Sequence, residues 1–318
     1  MLGQTLSRER RGTLITQARA GTRPWLQLER DAFRDGYDKR PFVIGHRLPE
    51  HPRFSFSELA RLCRRLPADQ VKHRFGPIPG NAEFDTSLDR FRGALSLDDA
   101  LDRMEERKAY IAIYNPERDP EYLPIIEGLL GELANHVGDL DPRINWYSTY
   151  IFVSAQDSVT PYHMDGEINF LLQIRGTKTV RLWDPFDDEI MTSQQRDLLL
   201  ADLQQTRPQY KPSFETKARI IEPVPGLGVH HPYSAPHLVQ TGPALSVSLA
   251  ITFRTDRTDV LRDAHRFNHQ VRRLGMRPLA VGSNPFVDRA KAAAYDALRS
   301  GKRLVRRLAP RSPGDRSP

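Results

Sequence analysis

Between Trp146 and Thr255 the chain alternates short apolar runs with turn residues. "WYSTYIFVSA", "TPYHMD", "NFLLQIRGTKTVRLWDP", "GVHHPY" and "ALSVSLAITFRT" are rich in β-branched and aromatic residues and read as strands. The Arg175-Gly176 pair reads as the turn of a hairpin between "NFLLQI" and "KTVRLW". Before this region the apolar spacing is mostly helical. "WLQLERDAFRDGYDKRPFVIGHRL" predicts a short helix leading into the strand "PFVIGH". "FSFSELARLCRRLP" predicts a helix with Ser57 as N-cap and Pro67 as its stop. "SLDDALDRMEERKAYIAIYNPE" predicts a helix capped by Ser96, followed by a strand holding Tyr110 and Tyr114. "YLPIIEGLLGELANHVGD" predicts a helix ending near Gly138. A more helical insertion, "SQQRDLLLADLQQTRPQYKPSFETKARI", divides the strands, and helical spacing returns after about Thr255. The expected organisation is a flexible N-terminus over 1–24, one domain over 25–255 with core strands mainly at 145–255, a helical region over 256–308, and a disordered tail over 309–318.

Composition narrows the class without choosing the chemistry. The chain has 318 residues, 39% of them apolar and 27% charged, as in a globular protein with a sizeable core. No apolar run approaches the roughly 20 residues that span a bilayer. The N-terminus lacks the apolar segment of a secretory signal. Cys63 is the only cysteine, which excludes an internal disulfide framework and fits a reducing compartment, so the expected location is cytoplasmic. The net charge of +7 is concentrated toward the C-terminus, in "RSGKRLVRRLAPRSPGDRSP". A basic balance permits contact with nucleic acid or an anionic membrane and selects neither.

The candidate chemistry begins at His163 and Asp165. On an extended strand, side chains at i and i+2 share a face, so an imidazole and a carboxylate would project together. A third ligand must then come from a distant strand. Two histidines and a carboxylate on one face leave open coordination positions, the arrangement associated with non-haem Fe(II) oxygenases. His230, His231 and His237 are the candidates, and His237 is favoured because it directly precedes a turn and a strong strand. The other two then read as packing residues or as partners of a ligand. Taken alone a His-x-Asp pair is common, but here apolar strand material flanks it on both sides.

Thr160, His163, Asp165, Asn169, Lys178, the Pro-Gly at 225–226, Pro232 and His237 together give a motif layout that resembles the JmjC and cupin-like Fe(II)/2-oxoglutarate-dependent oxygenases. The layout looks closest to the small hydroxylase branch that includes the asparaginyl hydroxylase of hypoxia-inducible factor. The 12 positions from Pro225 to His237 (237 − 225) match that branch and select His237 over its neighbours. The resemblance implies a mainly β fold with flanking helices and a double-stranded β-helix, or jelly-roll, core. It implies Fe(II) held by His163, Asp165 and His237, with 2-oxoglutarate and O2 as cosubstrates. Lys178 would pair with the far carboxylate of 2-oxoglutarate, Thr160 and Tyr110 would supply hydroxyls, and Asn169 would be a polar contact nearer the metal. The implied reaction hydroxylates an unactivated C–H bond of a protein side chain or small molecule, releasing succinate and carbon dioxide. Stable hydroxylation is expected over demethylation because the chain shows no chromatin-reader or zinc module. The resemblance also implies a homodimer through the C-terminal helices. Two positions depart from the pattern: Leu227 stands where an acidic residue commonly follows Pro-Gly, and Thr252 where an asparagine is frequent.

Two other readings compete. One keeps the barrel and metal for a cupin reaction without 2-oxoglutarate, against which Lys178 and Thr160 argue. The other is a non-enzymatic cupin-type binding or regulatory protein contacting nucleic acid through "DRAKAAAYDALRSGKRLVRRLA". No helix-turn-helix or zinc-finger pattern supports it.

Overall fold

The computed structural model describes residues 23–80, 96–141, 143–201 and 208–308, with side chains as far as 301. Residues 1–22 of the expected flexible segment and the tail 309–318 lie outside them. Twelve strands are described: β1 (Leu26–Gln27), β2 (Phe42–His46), β3 (Val71–Arg74), β4 (Tyr110–Tyr114), β5 (Ile144–Ser154), β6 (Val159–His163), β7 (Ile168–Arg175), β8 (Lys178–Leu182), β9 (Arg219–Ile221), β10 (Leu227–His231), β11 (His237–Thr241) and β12 (Ser246–Thr255). The helices are α1 (Arg30–Gly36), α2 (Phe56–Arg65), α3 (Leu97–Asp102), α4 (Leu123–Val137), α5 (Ser193–Ala201), α6 (Asp256–Arg273) and α7 (Pro285–Leu308).

All strand pairings are antiparallel, in a large sheet ordered β1-β2-β10-β7-β12-β5-β4-β3 and a small sheet ordered β6-β11-β8-β9. From β5 onward the chain steps between them: β5 large, β6 small, β7 large, β8 and β9 small, β10 large, β11 small, β12 large. This is a double-stranded β-helix, so the mainly β jelly-roll expectation holds.

The stepping overturns the expected hairpin at Arg175-Gly176. Strand β7 pairs with β10 and β12, whereas β8 pairs with β11 and β9. The turn is therefore a corner between sheets. Gly176 has φ of +66°, and a Cβ there would lie 2.5 Å from the Leu245 carbonyl oxygen, so the corner needs glycine as much as a hairpin would.

The period of two along each large-sheet strand sorts residues between two cores. In β7, Phe170 and Leu172 face the helices, where they join Phe33 of α1, Leu59 and Leu62 of α2, and Ile126 and Leu129 of α4. Leu171 faces the small sheet with Val180, Leu182, Val229, Val239 and Ala250. Both faces of β7 are buried, which is why "INFLLQI" reads as a continuous apolar run. Phe170 is fully buried, and its truncation to alanine is expected to cost about 3–5 kcal/mol.

The caps differ slightly from expectation. Ser55, not Ser57, caps α2 by accepting from the Glu58 N–H at 3.4 Å. Ser96 forms a capping box with Asp99 at α3, as its position indicated. Four strands were not legible: β1, which lies where a helix was expected to begin, β3, β9 inside the helical insertion, and β11.

Candidate metal centre

Strand β6 solves a spacing problem. Thr160 and His163 are three apart and would point to opposite faces of a regular strand. The β6–β11 register pairs His163 with His237 but Thr160 with Val239, so it shifts between these pairs, where Pro161 and Tyr162 stand against Leu238 alone. Such an irregularity lets both Thr160 and His163 face the barrel interior. Tyr162, between them, turns outward to meet Trp183 edge-on at a ring separation of 5.1 Å.

The His163 and His237 rings lie 4.0 Å apart between centroids. Asp165 does not share the strand with His163 as expected, because β6 ends at His163 and Asp165 occupies the following turn. From there its carboxylate reaches both rings, with Oδ1 3.9 Å from His163 Nε2 and Oδ2 3.7 Å from His237 Nε2. One ligating atom from each of the three residues lies within 4.8 Å of the other two.

The tautomers follow from the backbone. His163 Nδ1 lies 2.7 Å from the Pro161 carbonyl, and His237 Nδ1 lies 3.0 Å from that of Ala235. A carbonyl only accepts, so each Nδ1 carries the proton and each Nε2 presents a lone pair toward Asp165. Burial, reinforced by the neighbouring His237, pulls the His163 pKa down to about 4, leaving a neutral imidazole suited to a cation. Two imidazoles and a carboxylate converging this way fit a divalent transition metal.

Deeper in the barrel, Lys178 is 3% exposed. Its Nζ donates to Ser248 Oγ at 2.8 Å and lies 5.6 Å over the Phe152 ring. Among the described residues no carboxylate pairs with it, and burial alone pulls its pKa down to about 7. Tyr110 lies near the same Phe152, 5.9 Å between ring centroids, and its hydroxyl shares a hydrogen bond with Thr160. Arg74 of β3 covers Tyr110 at 4.3 Å and donates to the Val159 carbonyl at 2.6 Å. An uncompensated lysine that shares the Phe152 ring with the hydroxyl-bearing Tyr110 is a place for a carboxylate from outside the chain, because a buried charge without a partner is costly. These residues fit 2-oxoglutarate.

Asn169 pairs in register with His231 of β10 and with Thr252 of β12, and among the described residues its Oδ1 has no partner. Thr252 donates to the Ser148 carbonyl at 2.9 Å, so it is already engaged within the sheet. His230 points the other way. Its Nε2 accepts from the Asp38 N–H at 3.0 Å and its ring packs 4.7 Å from Phe170, which makes it an architectural residue. His231 faces the barrel with its ring 4.7 Å from that of His237, yet it is not among the three converging groups. Burial holds it well below its ordinary pKa.

The sequence reading missed Arg74 on β3, Phe152 on β5 and Ser248 on β12. For Phe152 and Ser248 the only signal was the β pattern of their strands, which marks a face without saying what the face encloses, and Arg74 lies on a strand that was not legible. A separate cleft of about 450 Å³ lies on the outer side of the small sheet, lined by Val159, Arg181, Tyr210, Glu215, Leu238 and Gln240. Convergent ligand geometry, rather than cleft size, identifies the chemistry.

No family model matches the sequence, and no curated protein matches it. Among solved structures the chain is similar to YcfD from Escherichia coli, described as a ribosomal oxygenase, at 16% identity over 89% of this chain and 68% of that one, with a TM-score of 0.46. It is also similar to YcfD in complex with cobalt and 2-oxoglutarate, at 18% identity over 88% and 68% of the two chains and a TM-score of 0.43. The corresponding figures for the complex with cobalt and succinic acid are 16%, 86%, 68% and 0.44. At these scores the likeness is distant.

Proposed function

We propose that this protein is an Fe(II)- and 2-oxoglutarate-dependent oxygenase that hydroxylates an unactivated C–H bond. The observation that carries the reading is the pairing of a converged His163–Asp165–His237 set with a buried, uncompensated Lys178 inside one barrel. Bound iron, with 2-oxoglutarate and O2, would supply oxidative decarboxylation to succinate and carbon dioxide, with the second oxygen atom passing to the substrate.

The chain's own contribution is placement. The Pro161 and Ala235 carbonyls hold the two imidazoles in the ligating tautomer. Asp165 would supply the negative charge in a three-residue site that would leave coordination positions for exchangeable ligands. Lys178 pairs with the far carboxylate of the oxo acid and regains the full charge that burial weakens. Tyr110 and Thr160 donate hydroxyl hydrogens beside it, and Asn169 offers its amide nearer the metal. The apolar lining of Leu171, Val180, Val229 and Val239 excludes water from the reacting groups.

The substrate is a protein side chain or a small molecule. An N-methyl carbon in the same place would end in demethylation, and stable hydroxylation is the favoured outcome. The asparaginyl-hydroxylase branch is supported by the motif layout alone. Exposed Leu274, Met276, Leu279 and Phe286, around the α6–α7 connection, support a homodimer through the C-terminal helices. No helix among the described residues is long and apolar enough to cross a membrane.

The test is anaerobic loading with Fe(II) and 2-oxoglutarate, followed by oxygen and measurement of succinate. Slow substrate-independent succinate formation, lost in His163→Ala, is expected. Its absence in the iron-loaded wild type overturns the reading.

A further inference from the structure

Among the described residues neither ring nitrogen of His231 has a hydrogen-bond partner, although the residue is 2% exposed. Its position makes this costly arrangement informative. Val229, two residues earlier on β10, belongs to the apolar lining between the sheets, so His231 shares the inward face. Its ring stands edge-on to that of His237 at 4.7 Å. Across the β10–β7 pairing its register partner is Asn169, whose Oδ1 is also without a protein partner. Two unsatisfied polar side chains on neighbouring strands thus flank the space beside a metal ligand. A leucine at 231 would fill the barrel without leaving a buried donor unmet.

His231 is not one of the groups whose ligating atoms converge, so a direct bond to the metal does not explain it. A neutral imidazole offers one N–H donor and one lone pair. A 2-oxo acid chelates a metal through its keto oxygen and one oxygen of the adjacent carboxylate. The second oxygen of that carboxylate then needs a donor inside a water-poor barrel. We infer that His231 is a contact residue for the oxo acid, its ring N–H donating to the metal-side carboxylate of 2-oxoglutarate on the side lined by Asn169. This rests on the oxygenase reading and assigns that ligand a second anchor, at the end opposite Lys178.

The experiment is an anaerobic titration of 2-oxoglutarate into Fe(II)-loaded protein, following the visible charge-transfer absorption of the chelate. Wild type, His231→Leu and His231→Asn are compared. His231→Leu should weaken the apparent Kd by about tenfold or more and move the band, because a bond to the chelating carboxylate is lost. His231→Asn retains an N–H donor and should stay within about threefold of wild type. Equal Fe(II) affinity in the three proteins shows that the ligand set is intact. Should His231→Leu fail to take up iron, wild type labelled with ¹⁵N-histidine and loaded with Zn(II) gives the answer. Its His231 N–H resonance should move downfield on adding 2-oxoglutarate, and an unmoved resonance overturns the inference. A His231→Leu protein with wild-type affinity, or with weakened affinity and an unmoved band, overturns it as well. A wild type that binds iron but shows neither band nor 2-oxoglutarate binding overturns the oxygenase reading itself.

Discussion

At the junction of α5 and α6, Asp197 is 1% exposed and fully engaged: His265 Nδ1 donates to it at 2.7 Å and Arg272 Nε at 2.8 Å. Inside the barrel, Lys178 is 3% exposed and, among the described residues, meets a serine hydroxyl and an aromatic face but no carboxylate. The two regions are equally sheltered from water, yet one is electrically closed and the other open. The Asp38–Arg257–Asp141 cluster behaves like the first, with Arg257 bridging two buried carboxylates. Charge buried with its partner holds elements together. Charge buried without one anticipates a ligand, and that distinction separates architecture from chemistry in this chain.

The largest effect should come from the open region's ligand set. Asp165→Ala is expected to weaken Fe(II) or Co(II) binding by more than about a hundredfold, beyond what losing a mere partner of a ligand costs, while stability without metal stays within about 0.5 kcal/mol. Chelator competition measures the first quantity and denaturant unfolding the second. Unaltered metal affinity would erase the contrast.

The closed region should respond in the opposite sense. Asp197→Ala strands His265 and Arg272, and the expected loss is about 3 kcal/mol, at the low end for a buried pair because Arg272 still reaches water. Affinity for 2-oxoglutarate should not change. If calorimetric titration finds the affinity altered, the two regions are coupled.

Acid provides an intermediate probe. Burial pulls His46 from its ordinary 6.5 to about 4, because protonation must occur out of water and at the Nδ1 that accepts the Leu48 N–H. His230 is lowered further, to about 3. The unfolded chain therefore binds more protons below pH 6.5, so the stability these neutral rings contribute is whole above that value and is lost as pH falls toward 4. For His46 the change between pH 7.5 and pH 5 should be about 2 kcal/mol in the metal-free protein. His46→Gln should flatten the slope by about one proton, and an unchanged slope would show that this ring carries no such linkage.

The smallest effect sharpens the contrast most. Lys178→Met removes an uncompensated cation, so stability without ligand should hold or rise by about 1 kcal/mol, while the 2-oxoglutarate requirement rises by about tenfold. A stability loss comparable to that of Asp197→Ala would class Lys178 with the architecture.

The sequence was informative where local pattern and fold agree. Runs rich in β-branched and aromatic residues marked β5, β7 and β12, and the Ser96 box marked α3. It was silent or misleading where the fold reuses a local signal. Arg175-Gly176 has hairpin chemistry, but partner choice depends on strands far along the chain. His237 read as a residue before a turn because "HLVQT" is short and follows two prolines, and it lies on β11. Thr160 and His163 have the wrong separation for one face, and only the register shift between them brings them together. Asp165 lies in a turn, so the i, i+2 rule that drew attention to it does not describe its geometry. His231 was visible as one histidine of three, but its lack of partners belongs to three-dimensional packing and leaves no mark on spacing.

The pairing of His163 with His237 has a mechanical consequence. Among the described residues β6 ends the small sheet, with β11 as its strand neighbour, and it is the strand that carries His163. The outer side of β6 is held by the Tyr162 N–H donating to the Gly80 carbonyl at 2.9 Å and by Arg74 on the Val159 carbonyl. A cation gripped between the two histidine rings would further tie this end strand to β11 across 74 residues of chain (237 − 163), a span whose closure entropy is substantial but grows only slowly with length. Metal occupancy would then govern fraying: the empty barrel opens at β6 first, and the loaded one must release its ion before that margin can peel.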